Sequence, residues 1–518
     1  MSHQTPAAEP ATDAPPSLPP RAIGATGTDR RPDGAAWHNA AVDPGRPVEP
    51  SSRRVLIVTN DVLTARMAGP AIRAWNMARI LASEHDVQLV STVGPCELTS
   101  DHFRIGIVQG DDLRALEMWC EILIFQGTVL YEHEWLKESE KVLVADIYNP
   151  MQLEALEQSK GRGEERRRAD VLVNSLILNE QLARGDFFMA ASPKQRSFWL
   201  GSLAAIGRVN PVVYDWDPSL ERLITVVPFG LPEKPPVHRH PALKGVVPGI
   251  GPDDRVILWG GGIYNWFDPL TLLRAVDRLR HRIPDVRLYF LGLRHPNPAV
   301  PAMRMAADAY ALSDRLGLTG THAFFNEDWV PYDDRENYLL EADIGVSTHL
   351  DHLETAFSFR TRILDYLWCG IPIVTTRGDF FAELVDREQL GYTVAAEDVE
   401  ALEQALFQLL DDRELAAECR MRVDEVARRF TWPEVLQPLV DFCRHPSRAP
   451  DLLDPVVAAT IGAHLPAPPR PPVGVIDNLQ IMLNHLDEGG VRLVASKMIS
   501  RARHALPGRG PARDNGRH

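Results

Sequence analysis

The sequence predicts an α/β chain of two Rossmann-like, doubly wound domains facing a cleft, with a disordered N-terminal tail and a C-terminal helical extension. Three observations carry this. Short apolar runs such as VLIVTN and RVILWGGG recur at intervals that leave room for a helix between them. The runs are unbroken rather than alternating, as strands buried on both faces of a parallel sheet require. A stretch rich in Pro, Gly and His, residues 231–252, divides the series in two.

Taken in order, residues 1–50 hold ten prolines and almost no large apolar side chain. Such a segment cannot bury enough surface to offset its ordering entropy, so 1–52 is expected to be a disordered tail. The first domain, 53–235, opens on VLIVTN, followed by a loop with Gly69-Pro70 and the amphipathic helix AIRAWNMARILAS. Strands are then expected at DVQLVST, EILIFQG, KVLVADIY, DFFMAAS and LITVVPFG. The second domain, 253–445, opens on RVILWGGG and continues through VRLYFLG, HAFFNEDWVP, IGVSTH and IPIVTT, with helices between them and over roughly 399–443. Strands alternating with helices predict parallel sheets, whose ligands bind at the carboxyl ends of the strands. A second proline-rich stretch, 446–473, reads as a linker to an extension over 474–518. There Val491, Val494, Ala495, Met498, Ile499 and Ala502 recur at helical spacing among basic residues. Such a helix can lie on an anionic membrane as a peripheral contact, or pack against the domains.

Composition excludes several classes. At 518 residues the chain is too long for one core. A net charge of −15 argues against nucleic acid as a partner. Five scattered cysteines without a Cys-x-x-Cys pair form neither a disulfide framework nor a zinc site, which points to a reducing, cytoplasmic setting. The N-terminus lacks the apolar core of a signal peptide, and no apolar run approaches the roughly 18 residues that span a bilayer.

The block most informative about chemistry is THLDHLETAFSFRTRILDYLWCGIPIVTTRGD, residues 348–379. Its polar loop carries Arg360 and Arg362 into a helix start, with Asp365 one turn further on. Guanidinium groups there suit a diphosphate, and the carboxylate suits ribose hydroxyls. The alternative is surface ion pairing among Asp351, Glu354, Arg360, Arg362 and Asp365. Gly260-Gly261-Gly262 after the first strand of the second domain is either a phosphate cradle or a plain turn. Neither strand-to-helix turn shows a complete G-x-G-x-x-G, which disfavours a nicotinamide cofactor. In the first domain, Gly69 and Arg73 lie at the cleft, and Asp146 either orients an acceptor hydroxyl or caps a loop. Trp199, Trp216 and Trp266 are candidates for stacking on sugar rings or for packing. His349, Asp351 and His352 lack the helical register of a zinc site, so no metal is expected.

The same block, ending L-D-Y-L-W-C-G-I-P-I-V-T-T, resembles the donor-site signature of glycosyltransferase family 4, a retaining family with the GT-B fold. Val55–Ser83 also resembles the family's first strand, glycine-containing loop and helix, and the resemblance covers about residues 54–443. It implies a metal-independent transferase that uses a nucleotide-sugar as co-substrate and no other cofactor. The family carries two glutamates eight positions apart before the C-G-x-P strand. Here Asp365 occupies the second place and Phe357 the first, with Glu354 the nearest acid. The Arg and Lys that follow the family's first C-domain strand are replaced by Gly261, Gly262 and their neighbours. Arg360 and Arg362, within F-S-F-R-T-R, and Arg294, in FLGLRHPNP directly after a strand, are then the candidates to hold the diphosphate, with Ser358 a further substrate contact. Arg360, Arg362 and Asp146 are the expected catalytic groups. Substrate-binding roles fall to Gly69, Arg73, Gly261, Gly262, Arg294, Glu354, Ser358 and Asp365. The expected acceptor is a glycan or lipid-linked glycan in envelope polysaccharide synthesis, on the inner face of the membrane. Two rivals remain: a catalytically silent nucleotide-binding or regulatory subunit, and a nucleotide-sugar epimerase.

Overall fold

The computed structural model describes residues 52–108, 112–160, 163–293, 303–463 and 465, with the backbone of 29–30 and 36–37. Fifteen strands are described: β1 (Asp29–Arg30), β2 (Ala36–Trp37), β3 (Arg54–Thr59), β4 (Asp86–Ser91), β5 (Arg104–Ile107), β6 (Ile122–Gln126), β7 (Val142–Asp146), β8 (Phe187–Ala190), β9 (Ile224–Val226), β10 (Arg255–Trp259), β11 (Val286–Phe290), β12 (Ala323–Phe325), β13 (Ile344–Ser347), β14 (Ile373–Thr376) and β15 (Gly391–Val394). The first sheet runs β1-β2-β5-β4-β3-β6-β7-β8-β9 and the second β12-β11-β10-β13-β14-β15. From β3 outward, and again from β10 outward, the order reverses beside the first strand. This is the doubly wound pattern, and it opens a crevice between β3 and β6 and another between β10 and β13. In β3, Val55 through Thr59 are all buried, and Ile122 through Gln126 of β6 likewise. The expected unbroken apolar runs therefore lie in the sheet centres.

Three expectations change. The tail over 1–52 was expected to be wholly disordered, yet β1 and β2 pair antiparallel and β2 pairs with β5. The edge of β5 leaves backbone groups open, and even two residues of extended chain satisfy some of them. Strands β5 and β15 had no counterpart in the sequence reading, because RIGI and GYTV are short and only partly buried. The third change concerns the end of the second domain and the linker after it. Helix Trp432–Arg444 leaves the second domain and packs on helix Gly69–Leu81 of the first. Phe442 stacks on Phe187 with centroids 4.1 Å apart, and Arg444 grips both Glu84 oxygens through Nε and Nη2. Residues 446–463, expected to be linker, form short helices instead. Asp451 there is fully buried and accepts from Arg208 Nε at 2.7 Å. The basic helix expected over 474–518 lies outside the described residues.

Two crossings thus join the domains, at Gly230-Leu231 and Phe430–Trp432. The Leu231 amide donates to the Phe430 carbonyl (2.8 Å), and the Trp432 amide to the Leu231 carbonyl (3.0 Å). A Cβ on Gly230 would stand 2.6 Å from the Trp432 ring, so only glycine lets the crossings touch. Across the cleft, Gln195 Nε2 donates to the Phe357 carbonyl (2.7 Å) and Tyr332 N to the Ala65 carbonyl (2.9 Å). No helix among the described residues is long and apolar enough to cross a membrane.

Candidate active site

Both crevices open into one interdomain cleft with two adjoining hollows. The smaller, about 170 Å³, lies between the glycine turn Gly260–Gly262, the start of helix Arg362–Trp368, and the loop bearing Trp329 and Tyr332. The larger, about 460 Å³, lies between the carboxyl ends of β3, β6 and β7 and the 354–362 loop. Gly69 and Arg362 line both, so a ligand can bridge the two domains.

Arg362 is the central cation. It is 8% exposed, stacks over Trp259 (4.5 Å) and Phe267 (4.2 Å), and donates from Nη2 to the Gly262 carbonyl at 2.9 Å. Its Nη1 is buried without an acceptor, and no carboxylate pairs with it among the described residues. Burial pushes this guanidinium down to about 10. A buried cation left without an anion is costly unless a ligand supplies one, and a diphosphate has the charge and the acceptors to do so. Helix Arg362–Trp368 is only seven residues long, so its dipole adds little beside this full charge. The helix is fixed from below. Tyr366 Oη accepts from Gly260 N (2.8 Å) and lies within hydrogen-bond range of the Leu258 and Val346 carbonyls. Its ring crosses Gly345 so closely that a Cβ there would lie 2.4 Å from it. Gly261 has φ +93° and open space where a side chain would project, which suits close ligand approach. Asp365 lines the small hollow and accepts from Arg335 Nε at 2.9 Å.

Other expected residues are placed differently. Arg360 donates to both oxygens of Glu354 (2.9 and 2.6 Å) and lies 3.8 Å from Asp379. With its fork filled by Glu354, it is not free for a diphosphate, and Glu354 is not free for ribose; both expectations are corrected. Burial raises Asp379 to about 6, so this cluster sits where charge is poorly solvated. Asp146 is corrected likewise. Both its oxygens accept from Arg73 (2.7 and 2.9 Å), and Gln126 Nε2 adds a third bond at 2.9 Å. Arg73 is fully buried and also donates to the Val227 and Pro228 carbonyls, both at 2.8 Å. It is a brace that joins the helix after β3 to β7 and the first crossing, not a substrate contact. Gly69 reaches the cleft from the first turn of that helix. Ser358 lines the larger hollow, its hydroxyl donating to the Thr355 carbonyl. Arg294 lies outside the described residues.

Phe357, standing where the related family has its first Glu, packs on Phe198 of the first domain (4.7 Å). His352 caps helix Leu353–Phe357 and contacts the Trp266 carbonyl at 3.1 Å, while His349 is fully buried. Trp199 is core, donating to the Ile147 carbonyl; Trp266 stacks on Tyr264 at the cleft (5.0 Å). Trp216 lies away from the cleft beneath Arg222 (4.0 Å).

Three contributors carried no local sequence signal: Arg335, Trp329 and Glu154. Arg335 is held over Tyr332 (3.6 Å) and Trp368 (4.7 Å), which aims it at Asp365. Glu154, on helix Met151–Gln158, faces the larger hollow and accepts from Asn149 Nδ2 at 3.1 Å. Burial, then the nearby Glu354, raises its carboxyl to about 7.

Residues 254–412 match the family model described as Glycosyl transferases group 1. The chain is similar to sucrose-phosphate synthase 4 of Arabidopsis thaliana, 34% identical over 89 residues, which cover 16% of this chain and 8% of that protein. It is also similar to D-inositol 3-phosphate glycosyltransferase 2 of Catenulispora acidiphila, 27% identical over 186 residues, covering 36% of this chain and 42% of that protein. The chain thus spans less than half the length of either curated relative. Among solved structures it is similar to Anabaena Alr3699/HepE in complex with UDP-glucose. That likeness has a TM-score of 0.54 and 12% identity, and covers 75% of this chain and 98% of that one. The fold is GT-B, as the resemblance at residues 348–379 implied.

Proposed function

From a second domain that matches Glycosyl transferases group 1 in a GT-B frame, we propose that this protein moves a sugar from a nucleoside-diphosphate sugar to a glycan or lipid-linked acceptor. The observation that carries the reading is Arg362, a buried guanidinium with no carboxylate partner, beside Gly261 and Asp365 at the meeting of the two hollows. The diphosphate docks against Arg362 and the glycine turn, with the ribose toward Asp365. The acceptor enters from the larger hollow. As the bond from the anomeric carbon to the diphosphate oxygen breaks, the new bond to the acceptor oxygen forms on the same face. The leaving diphosphate takes the acceptor proton. Arg362 stabilises the charge that develops on the leaving group, the largest contribution in sites of this kind. Neither a metal nor a further cofactor enters the scheme, and we place it in envelope polysaccharide synthesis at the inner membrane face.

Calorimetric titration with UDP, GDP and ADP tests this, followed by transfer from the matching donor sugar. Micromolar binding of one diphosphate, with transfer or slow donor hydrolysis, supports it. Absence of all nucleotide binding refutes it. The capture of Arg360 by Glu354 favours a second reading, a silent nucleotide-binding subunit, which binding without transfer or hydrolysis would select.

A further inference from the structure

The larger hollow has a charge balance that bears on what it accepts. Asp61, Asp146, Glu154 and Glu354 line it, against Arg360 and Arg362 as its guanidinium groups among the described residues. Of these cations, Arg360 is already matched by Glu354, and Asp146 already holds Arg73. Arg362 is the one that the donor diphosphate claims. No uncommitted cation therefore remains, among the described residues lining this space, for a second phosphate. Gln158 instead presents an amide, which donates and accepts toward hydroxyls, while the amides of Asn60 and Gln181 beside it are held by Thr92, Glu132 and the Gly127 carbonyl. Glu154 projects among them from the first domain, accepting a hydrogen bond from the neutral Asn149.

We infer that the acceptor subsite takes an uncharged polyhydroxylated group, the non-phosphorylated end of a glycan or polyol, and discriminates against phosphorylated sugars, with Glu154 positioning the acceptor hydroxyl. This rests on the donor reading of Arg362 and adds the substrate class. A carboxyl raised to about 7 is shared between its acid and its base near neutral pH, so it can both donate to and accept from a hydroxyl. A phosphate dianion brought near Glu154 meets like charge in a poorly solvated space with no uncommitted cation to offset it, which costs about tenfold in affinity.

The test is saturation-transfer NMR on the full chain, with glucose against glucose 6-phosphate and inositol against inositol 3-phosphate, with and without UDP. The expected result is preference for each neutral member by about tenfold or more, reduced in Glu154→Gln and reversed in Glu154→Lys. Equal or tighter binding of the phosphorylated members to the unaltered protein would overturn the inference. So would binding of neither member at tens of millimolar, or a ratio that ignores both substitutions. The UDP affinity of the same samples reports separately on the donor site, so failure there is distinguishable from failure here.

Discussion

Arg362→Gln is the substitution that separates a functional cation from a structural one, because it should move stability and affinity in opposite directions. Burial holds the Arg362 guanidinium down to about 10 in the free protein. That displacement corresponds to roughly 3 kcal/mol of cost for the charged form at neutral pH. The sign follows from the direction: a cation whose folded value is depressed destabilises the fold at every pH below that value. Glutamine removes the charge but also forfeits stacking on Trp259 and Phe267 and the bond to Gly262, together about 2 kcal/mol. The free variant should therefore be as stable as the parent or better by about 1 kcal/mol, a rise in Tm of roughly 2 °C for a chain of this size. Diphosphate binding loses a charge-assisted hydrogen bond worth about 1.5–3 kcal/mol, so Kd should rise about 10- to 150-fold. Thermal unfolding with and without UDP, alongside calorimetry, reads both numbers. A variant destabilised by more than about 2 kcal/mol, with its UDP affinity within about twofold of the parent, would refute the reasoning and make Arg362 a structural residue.

Three further outcomes follow from the geometry. Arg73→Met leaves the Asp146 carboxylate buried and should cost about 3–5 kcal/mol in urea unfolding, much of it regained in Arg73→Met/Asp146→Leu. Asp365→Asn weakens the hold of Arg335 on the small hollow and should raise the UDP Kd about tenfold by calorimetry. Glu154 is raised to about 7 from an ordinary value of 4.5, so between those limits the folded state binds the extra proton and stability falls as pH rises. Glu154→Gln should match the parent at pH 5 and exceed it by about 1–2 kcal/mol at pH 8, the carboxyl keeping some contact with solvent; equal stability at both would show an unperturbed group.

Most of the fold was legible because its central strands are unbroken apolar runs with helical spacing between them. The edges were not, since β5 and β15 contact only one neighbour well and need no such run. At the site, Gly261, Arg362 and Asp365 gather as their spacing implied. Arg360 and Asp146 were misread because charge type alone does not say whether a group is already paired. Arg73 and Asp146 lie 73 positions apart and meet only when the first sheet forms. Glu354 and Arg360 lie six apart, and the ion-pairing alternative for their block already named both. Arg335, Trp329 and Glu154 act from separate loops and helices, so only the folded cleft reveals their common direction.

The two crossings between the domains have a mechanical meaning. Sliding one domain past the other would break both Leu231 hydrogen bonds, and twisting would drive the Gly230 backbone into Trp432. Bending about the line of those bonds breaks neither. Of the three displacements, bending is thus the one the joint leaves open, and it is opposed at the far side by the Gln195–Phe357 and Tyr332–Ala65 hydrogen bonds across the cleft.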